Sequence, residues 1–158
     1  MRAVGANRIE VLHGVNLDML GKRDPAHYGT LTLIELEVRI RHWARDLGLE
    51  ATFFQTNDEA RFVERLHQAP ETADALILNP GAWTHYSWAI RDALEIAGLP
   101  TVEVHISDVS AREEFRRHSV ISDLDLVIQT VSGRGADGYQ EALETLGREL
   151  GVDVPPAA

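Results

Sequence analysis

Three clusters of polar residues in this sequence have side chains that could transfer protons on a small anion. The first, GKRDPAHYG at residues 21–29, places Tyr28 close to Lys22 and Arg23. A positive charge about 4 Å from a phenolate stabilises it by about 4 kcal/mol at an effective dielectric constant of ~20, so such a tyrosine can act as a base. A loop tyrosine among cations is also compatible with simple solvation. This stretch therefore predicts a candidate base that needs support from the rest of the chain.

The second cluster, VEVHIS, pairs Glu103 with His105. Residues two apart on a strand project from the same face of a sheet, so the carboxylate can orient the imidazole and stabilise its protonated form. An imidazole held in this way can serve as a general acid. The alternative is a histidine satisfied by hydrogen bonds in the core. The polar residues SDVSAR that follow place His105 at the end of its strand and favour a functional role.

The third cluster, NPGAWTHYS, begins at Asn79 and reaches His85 six residues later. Pro80 and Gly81 predict a turn in which the backbone can approach a ligand closely. Asn79 and His85 are therefore candidate binding residues. The aromatic residues of this stretch are more typical of packing or subunit contacts than of cofactor stacking: Trp83, Tyr86 and Trp88.

A basic stretch, AREEFRR, places Arg112 and Arg116 one turn apart if it is helical. Like charges at that spacing repel each other unless an anion or an oxygen-rich group lies between them. A surface ion pair between Glu113 and Arg117 is a second interpretation of the same stretch, and both can hold on different faces. The two arginines are candidate anion ligands.

The elements that must position these clusters alternate between strand and helix. Apolar runs predict five strands, at residues 8–13, 49–55, 75–79, 101–106 and 124–129. Apolar side chains at helical spacing predict helices between them, with a capping box at Thr32 and Glu35, a cap at Asn57 and a short helix around residues 111–115. Parallel strands need such crossovers. We therefore predict an α/β, flavodoxin-like, doubly wound sheet of order 2-1-3-4-5 with helices on both faces.

The three clusters lie at or after the carboxyl ends of the first, fourth and third predicted strands. Ligands of such sheets bind beyond the carboxyl ends of the strands, near the switch point between strands 1 and 3, so one shared site is expected. A chain of 158 residues suits a single catalytic domain, residues 1–158. Within it we expect residues 1–7 and 152–158 to be flexible ends and residues 18–29 to form a lid loop.

Composition narrows the class of protein. A net charge of −10 argues against nucleic acid as a partner, although local basic residues can still bind a small anion. There is no cysteine, and the seven histidines show no metal-ligand spacing. The glycine-rich SGRGADG matches neither the P-loop nor the dinucleotide fingerprint. Without a membrane-spanning run or a signal-peptide core, the chain is expected to be cytoplasmic, with no membrane partner.

Several segments in order resemble the type II 3-dehydroquinate dehydratase family. The matching motifs cover roughly residues 8–150 and are HGVNL (13–17), GKRDPAHYG (21–29), QTNDE (55–59), NPGAWTH (79–85), EVHIS (103–107) and REEFR (112–116). Several motifs in register are far more specific than any one of them. The resemblance implies a hydro-lyase that converts 3-dehydroquinate to 3-dehydroshikimate by anti elimination through an enolate. That reaction belongs both to shikimate biosynthesis, which leads to aromatic amino acids, and to quinate breakdown.

The same resemblance implies roles for individual residues. Tyr28 would remove the proton from carbon 2, with Arg23 favouring its phenolate, and His105, oriented by Glu103, would protonate the departing hydroxyl of carbon 1. Asn16 would stabilise the enolate through a water, and Asn79 with the backbone of Ile106 and Ser107 would bind the carboxylate. His85 and Arg112 would bind the ring hydroxyls, with support from Arg116. Asp92 would reach toward a neighbouring subunit. No metal, Schiff-base lysine or organic cofactor is implied. The family assembles trimers into dodecamers, so a homo-oligomer is expected.

Three residues depart from the family pattern. His13 and Val15 stand where asparagine and proline are usual beside Asn16, and Asp108 stands where asparagine is common, adding a negative charge near the expected carboxylate pocket. For His13 we predict a mostly neutral imidazole that preserves local structure and contributes little to the chemistry directly. It either lines the pocket or is buried and bonded to the backbone.

Two other classes of protein remain to be weighed. A binding protein on the same scaffold could hold a related cyclic hydroxy acid without turnover, or be a weakly active homologue. A flavodoxin or phospho-receiver would share the fold. A receiver, however, needs an acidic cluster after strand 1 and an aspartate at strand 3, where this chain has His13 and Asn79.

Overall fold

The computed structural model describes residues 5–156 as alternating strands and helices. The strands are β1 (Arg8–His13), β2 (Glu50–Gln55), β3 (Ala75–Asn79), β4 (Thr101–His105) and β5 (Val127–Ser132). The helices are α1 (Pro25–Tyr28), α2 (Leu33–Asp46), α3 (Glu59–Thr72), α4 (Trp88–Ala97) and α5 (Asp137–Glu149). Short 3-10 turns lie at Leu17–Met19, Gly81–His85, Val109–Ala111 and Glu114–Arg117.

The five strands form one parallel sheet of order β2-β1-β3-β4-β5, which confirms the predicted fold class. Its register aligns the last residues of neighbouring strands: His13 pairs with Gln55 on one side and with Asn79 on the other. Likewise His105, the last residue of β4, pairs with Ser132. The polar clusters of the sequence therefore meet at one edge of the sheet.

Two apolar layers cover the sheet because alternate strand residues face opposite sides. Ile9 and Val11 of β1 pack with α2 and α5, whereas Leu12 packs with α3 and α4. Every residue of β3 is buried, as expected for a central parallel strand. The predicted capping box at Thr32 and Glu35 is present at the start of α2. These layers hold the carboxyl ends of the strands in place, and the loops there are free to carry polar groups.

Three local predictions were wrong. The fifth strand begins at Val127 and not at residue 124, because Val127 donates its backbone N–H to the Leu124 carbonyl and closes a turn. Residues 111–115 do not form one helix, since two 3-10 turns flank an extended Arg112. The cap of α3 is Asp58, whose side chain accepts from the backbone of Ala60 and Arg61, and this leaves Asn57 available for another contact.

The predicted lid contains regular structure at both ends. It begins in the 3-10 turn Leu17–Met19 and ends in α1, which is capped by Asp24 and starts at Pro25. The predicted flexible ends fall outside the described residues at 1–4 and 157–158. Nearer the domain, the Asn7 backbone binds the Asp74 carboxylate at 3.2 Å. In residues 5–156, no helix is both long and apolar enough to cross a membrane.

Candidate active site

Two tight turns, after β1 and after β3, form the floor of the site. Gly14 packs so closely on the second turn that a β-carbon there would lie 2.2 Å from the Pro80 carbonyl oxygen. Gly81, at a φ of +64°, lies equally close to the first turn, with the Val15 carbonyl 2.6 Å from a β-carbon built on it. The glycine predicted to admit a ligand thus also admits a neighbouring loop. The two turns fix Asn16 and Asn79 relative to each other.

Asn16 has the one left-handed backbone among the described non-glycine residues, with a φ of 68°. Its backbone N–H donates to the Asn57 side-chain oxygen at 2.8 Å. Asn57 in turn donates to the Asp18 carboxylate at 3.1 Å, and Gln55 donates to both Asn57 and the Gly14 carbonyl at 3.2 Å. A left-handed backbone at a non-glycine residue costs free energy and persists where contacts with the surrounding residues enforce it. The residues after β2 therefore hold the Asn16 turn open toward the cleft.

The end of β4 carries a buried carboxylate–imidazole pair. His105 Nε2 donates to the Glu103 carboxylate at 2.5 Å, and Thr84 and Ser119 donate to the same carboxylate at 2.5 and 2.8 Å. Burial works to raise the pKa of Glu103, but these hydrogen bonds outweigh it and the pKa lies below its usual value. Glu103 is therefore ionised, and its carboxylate holds the His105 ring in a fixed orientation.

His85 stacks above His105, with ring centroids 6.3 Å apart. Its Nδ1 lies 2.7 Å from the His118 carbonyl oxygen, which can only accept, so Nδ1 carries the proton. Burial lowers the pKa of His85, with a smaller opposing contribution from that hydrogen bond. A neutral His85 therefore presents Nε2 as an acceptor.

The tyrosine of the lid lies between two arginines. Arg23 donates to the Tyr28 hydroxyl at 2.8 Å and Arg112 donates to it at 2.5 Å. The Arg23 guanidinium also lies over the phenol ring, 3.7 Å from its centroid, and Arg112 reaches Ser107 at 3.3 Å. Two guanidinium groups thus donate to one phenol oxygen, and hydrogen bonds from a charged donor are among the stronger ones in proteins.

A further polar group of the site is the Asn79 side chain at the end of β3. Its oxygen accepts from the Gly81 backbone at 3.2 Å and its nitrogen donates to the Tyr139 hydroxyl at 3.0 Å. The same hydroxyl lies 2.8 Å from His13 Nε2. All three side chains are buried, and His13 does not line the cleft. His13 is thus buried, as in one of the two predicted placements, but its partner is a tyrosine hydroxyl and not the backbone.

The structure brings most of the predicted site residues together around one cleft. The residues that line it include Asn16, Arg23, Tyr28, Asn79, His85, His105, Ile106, Ser107, Arg112 and Arg116. Glu103 lies behind His105 and is fully buried. Asp92 is exposed on α4 and does not line the cleft of its own chain.

Asp108, expected to add a negative charge near the pocket, lies between two residues that line the cleft, Ser107 and Val109, but does not line it itself. Its carboxylate accepts from the Ser110 backbone at 3.1 Å and from the Ser110 hydroxyl at 2.6 Å, because it caps the turn after β4. Arg116 pairs with Glu113, whereas the sequence suggested a pair with Arg117. The charge introduced by Asp108 is thus used locally.

The electrostatic character of the cleft opposes that of the whole chain. Its lining carries three arginines and two histidines and, within the described residues, no acidic side chain. The chain has a net charge of −10. A local cluster of cations of this kind recruits a small anion despite the global field. Among residues 5–156, no group of three or more histidine, aspartate or glutamate side chains is arranged to hold a metal ion.

Sequence reasoning missed four residues that support the site. Thr84 and Ser119 satisfy Glu103, Asn57 holds the Asn16 turn, and Tyr139 binds Asn79. Tyr139, on α5, lies outside every motif that the sequence analysis singled out. For Asn57 a signal existed, because it lies in the QTNDE segment, but a helix cap explained it equally well.

Comparisons with known proteins agree with this geometry. Residues 7–147 match the family model described as Dehydroquinase class II. The chain is 53% identical over 137 residues to a 3-dehydroquinate dehydratase of Syntrophotalea carbinolica, covering 86% of this chain and 91% of that protein. A protein of the same name from Pelobacter propionicus is also 53% identical over 137 residues, with the same coverage of both chains.

A solved structure gives the same result. The crystal structure of type II dehydroquinase from Propionibacterium acnes superposes with a TM-score of 0.84 at 44% sequence identity, covering 90% of this chain and 97% of that one. The chain belongs to the class II dehydroquinase family.

Proposed function

We infer that this chain is a hydro-lyase that dehydrates 3-dehydroquinate to 3-dehydroshikimate. The observation that carries the inference is the pairing of a phenol held by two arginines with an imidazole held by a buried carboxylate, around one cationic cleft. The first pair supplies a base and the second an acid, which are the two groups that a proton-assisted elimination needs. Family membership and the relatives named 3-dehydroquinate dehydratase support the same reaction.

In the proposed mechanism, the Tyr28 phenolate removes a proton from carbon 2 of the substrate, which leaves an enolate at the carbon 3 ketone. Asn16 stabilises the enolate oxygen through a water. His105 then donates a proton to the hydroxyl of carbon 1, which departs as water while the double bond between carbons 1 and 2 forms. Tyr28 then releases its proton to solvent and His105 takes one up from solvent, so both groups return to their starting states.

Substrate binding uses the polar groups that remain. The substrate is a carboxylate, and Asn79 with the backbone at Ile106 and Ser107 is placed to hold that group. The carbonyls of Ile106 and Ser107 are already bonded to the backbone N–H groups of Gly135 and Gly133, which fixes this segment. His85, neutral and with a free Nε2 face, accepts a hydrogen bond from a ring hydroxyl. Arg112 bridges the hydroxyl region and the base, supported by Arg116.

Two further properties belong to the proposal. The chain is a homo-oligomer, up to a dodecamer built of trimers, because α4 and the residues before it expose Asp92 together with large apolar side chains, Tyr86, Trp88 and Ile96. Light scattering should give a mass that is a multiple of three chains, and a Trp88→Glu variant should lower it. A monomeric wild-type protein would contradict the proposed oligomer.

The composition and net charge of the chain support a cytoplasmic location, which is the second property.

The decisive experiment mixes the purified protein with 3-dehydroquinate and follows the absorbance of the conjugated enone product. Steady growth of that absorbance in the wild type, and its loss in Tyr28→Phe, is the expected result. Binding of 3-dehydroquinate without any enone would instead identify a binding protein on this scaffold.

A further inference from the structure

The buried contact between the ends of β1, β3 and α5 has a definite direction of hydrogen bonding. The Gly81 backbone N–H can only donate, so the atom of Asn79 that it meets at 3.2 Å is the side-chain oxygen. The other amide atom, 3.0 Å from the Tyr139 hydroxyl, is therefore the nitrogen, which donates. Because the tyrosine oxygen receives that bond, its single proton is directed to its other neighbour, His13 Nε2, at 2.8 Å.

This direction determines the protonation of His13. An Nε2 that accepts from Tyr139 carries no proton, so the neutral ring holds its proton on Nδ1. Burial supports a neutral ring, since it lowers the pKa of His13 to about 4. The Nδ1 atom is buried and meets no hydrogen-bond partner among the described residues. A buried unpaired donor costs free energy, so the chain retains this tautomer at the expense of local stability.

The opposite arrangement would disturb the cleft. A proton on Nε2 would donate to the tyrosine oxygen and direct the tyrosine proton toward Asn79. Either the buried tyrosine proton would then lack an acceptor, or the Asn79 amide would have to turn its oxygen to Tyr139 and its NH2 group to the Gly81 N–H, where two donors would face each other. With the observed direction, the second hydrogen of the Asn79 nitrogen is available to a carboxylate in the cleft.

We propose that His13 is a positioning residue that acts through Tyr139: as a hydrogen-bond acceptor, it holds the Asn79 amide with its NH2 group available to the substrate carboxylate. The proposal rests on the proposed function for the role of Asn79, whereas the tautomer of His13 follows from the structure alone. His13 touches neither substrate nor reacting atoms in this scheme.

A matched pair of variants at His13, together with Tyr139→Phe and a stability control, tests the proposal. His13→Gln keeps an acceptor at about the distance of Nε2, whereas His13→Leu removes it, and Tyr139→Phe removes the hydroxyl with little change in shape. Leu66→Ala, in the core of α3, is a control for loss of stability alone. For His13→Leu and Tyr139→Phe we expect KM to rise about tenfold with kcat changed less than threefold, because a carboxylate contact acts on bound substrate and transition state alike. His13→Gln should stay within about threefold of the wild type in KM.

The same variants should weaken binding of 3-dehydroshikimate by a similar factor in calorimetry, which reads the contact even if turnover fails. Nitrogen-15 NMR of the ligand-free wild type should show, besides His85, a second neutral histidine protonated on Nδ1, and its signal should be lost in His13→Gln. The proposal is overturned if that histidine is protonated on Nε2, or if KM and product affinity are unchanged in folded His13→Leu and Tyr139→Phe. It is also overturned if His13→Gln is as impaired as His13→Leu, or if Leu66→Ala reproduces the same change in KM. Absence of turnover in the wild type would instead contradict the proposed function.

Discussion

The proposed acid and the proposed base of this site are held in opposite ways. His105 lies on β4, buried, with its partner Glu103 satisfied by three side chains from different segments. Tyr28 lies at the end of α1, half-buried, and its hydroxyl is held by two arginines. The proposed acid is therefore positioned by the core, whereas the proposed base is positioned by cations that a ligand in the cleft would also meet. Substitutions should accordingly act through geometry and stability on the β4 side, and through charge on the lid side.

Removal of the base should have the largest effect. Tyr28→Phe keeps the ring and its packing but removes the proton acceptor, so kcat should fall by about 10²–10⁴-fold, the usual contribution of a general base. The enone assay measures the rate, and thermal unfolding should match that of the wild type because the hydroxyl contacts only cleft residues. A variant that retains more than about a tenth of the rate would remove Tyr28 from its role.

On the β4 side, substitution of the imidazole should lower activity more than substitution of its carboxylate partner. His105→Ala should lose activity as severely as the lid variant, since it removes the proton donor. Glu103→Gln should lose about 10–100-fold, as for other groups that only orient an imidazole, and it should also unfold more easily, because Thr84 and Ser119 would then donate to an uncharged amide. If Glu103→Gln were the more impaired in kcat, the proton donor would have to be reassigned.

A charge test separates the lid from the core. Arg23→Ala removes one of the two cations on the phenol, so the rate near neutral pH should fall about tenfold or more, since each 1.4 kcal/mol of lost Coulomb stabilisation is a factor of ten. Lys22→Ala is the matched control, since it removes the same charge from an exposed neighbouring position. Equal losses in the two variants would mean that Arg23 does not act through its contact with the phenol oxygen.

The smallest effect concerns stability and not turnover. The pKa of His13 in the folded protein is about 4, below the ordinary value of 6.5, so between these values the unfolded chain binds more protons than the folded one. The free energy of unfolding should therefore fall as the pH falls, by about 2 kcal/mol from this residue between pH 7 and pH 5. In urea unfolding at both pH values, the free energy of unfolding of His13→Gln should change less with pH than that of the wild type.

The exposed His67 on α3 offers a control for this measurement. His67→Gln should keep the full pH dependence of the wild type. If His13→Gln and the wild type lost the same stability between pH 7 and pH 5, the imidazole would not be held neutral by burial.

Much of this architecture follows from the sequence alone. The order of the sheet and the edge at which the site lies depend on apolar runs, capping residues and polar strand ends, which are local properties of neighbouring residues. The motifs that contain Tyr28, His105 and Asn79 were also legible, because residues that act together here lie within a few positions of each other or at the ends of strands. The structure confirmed the predicted order of the sheet.

Other features depended on contacts between distant parts of the chain. Arg112 reaches Tyr28 across 84 positions and Tyr139 reaches His13 across 126, and no spacing within one element predicts either contact. Two helix predictions failed for the same reason: Asn57 binds the Asn16 turn while Asp58 caps α3, and Arg112 leaves the helical path to meet the phenol. Local propensity determined the elements of this protein. The packing of helices and loops against the sheet decided which polar groups meet, because only in three dimensions does a buried donor find its acceptor.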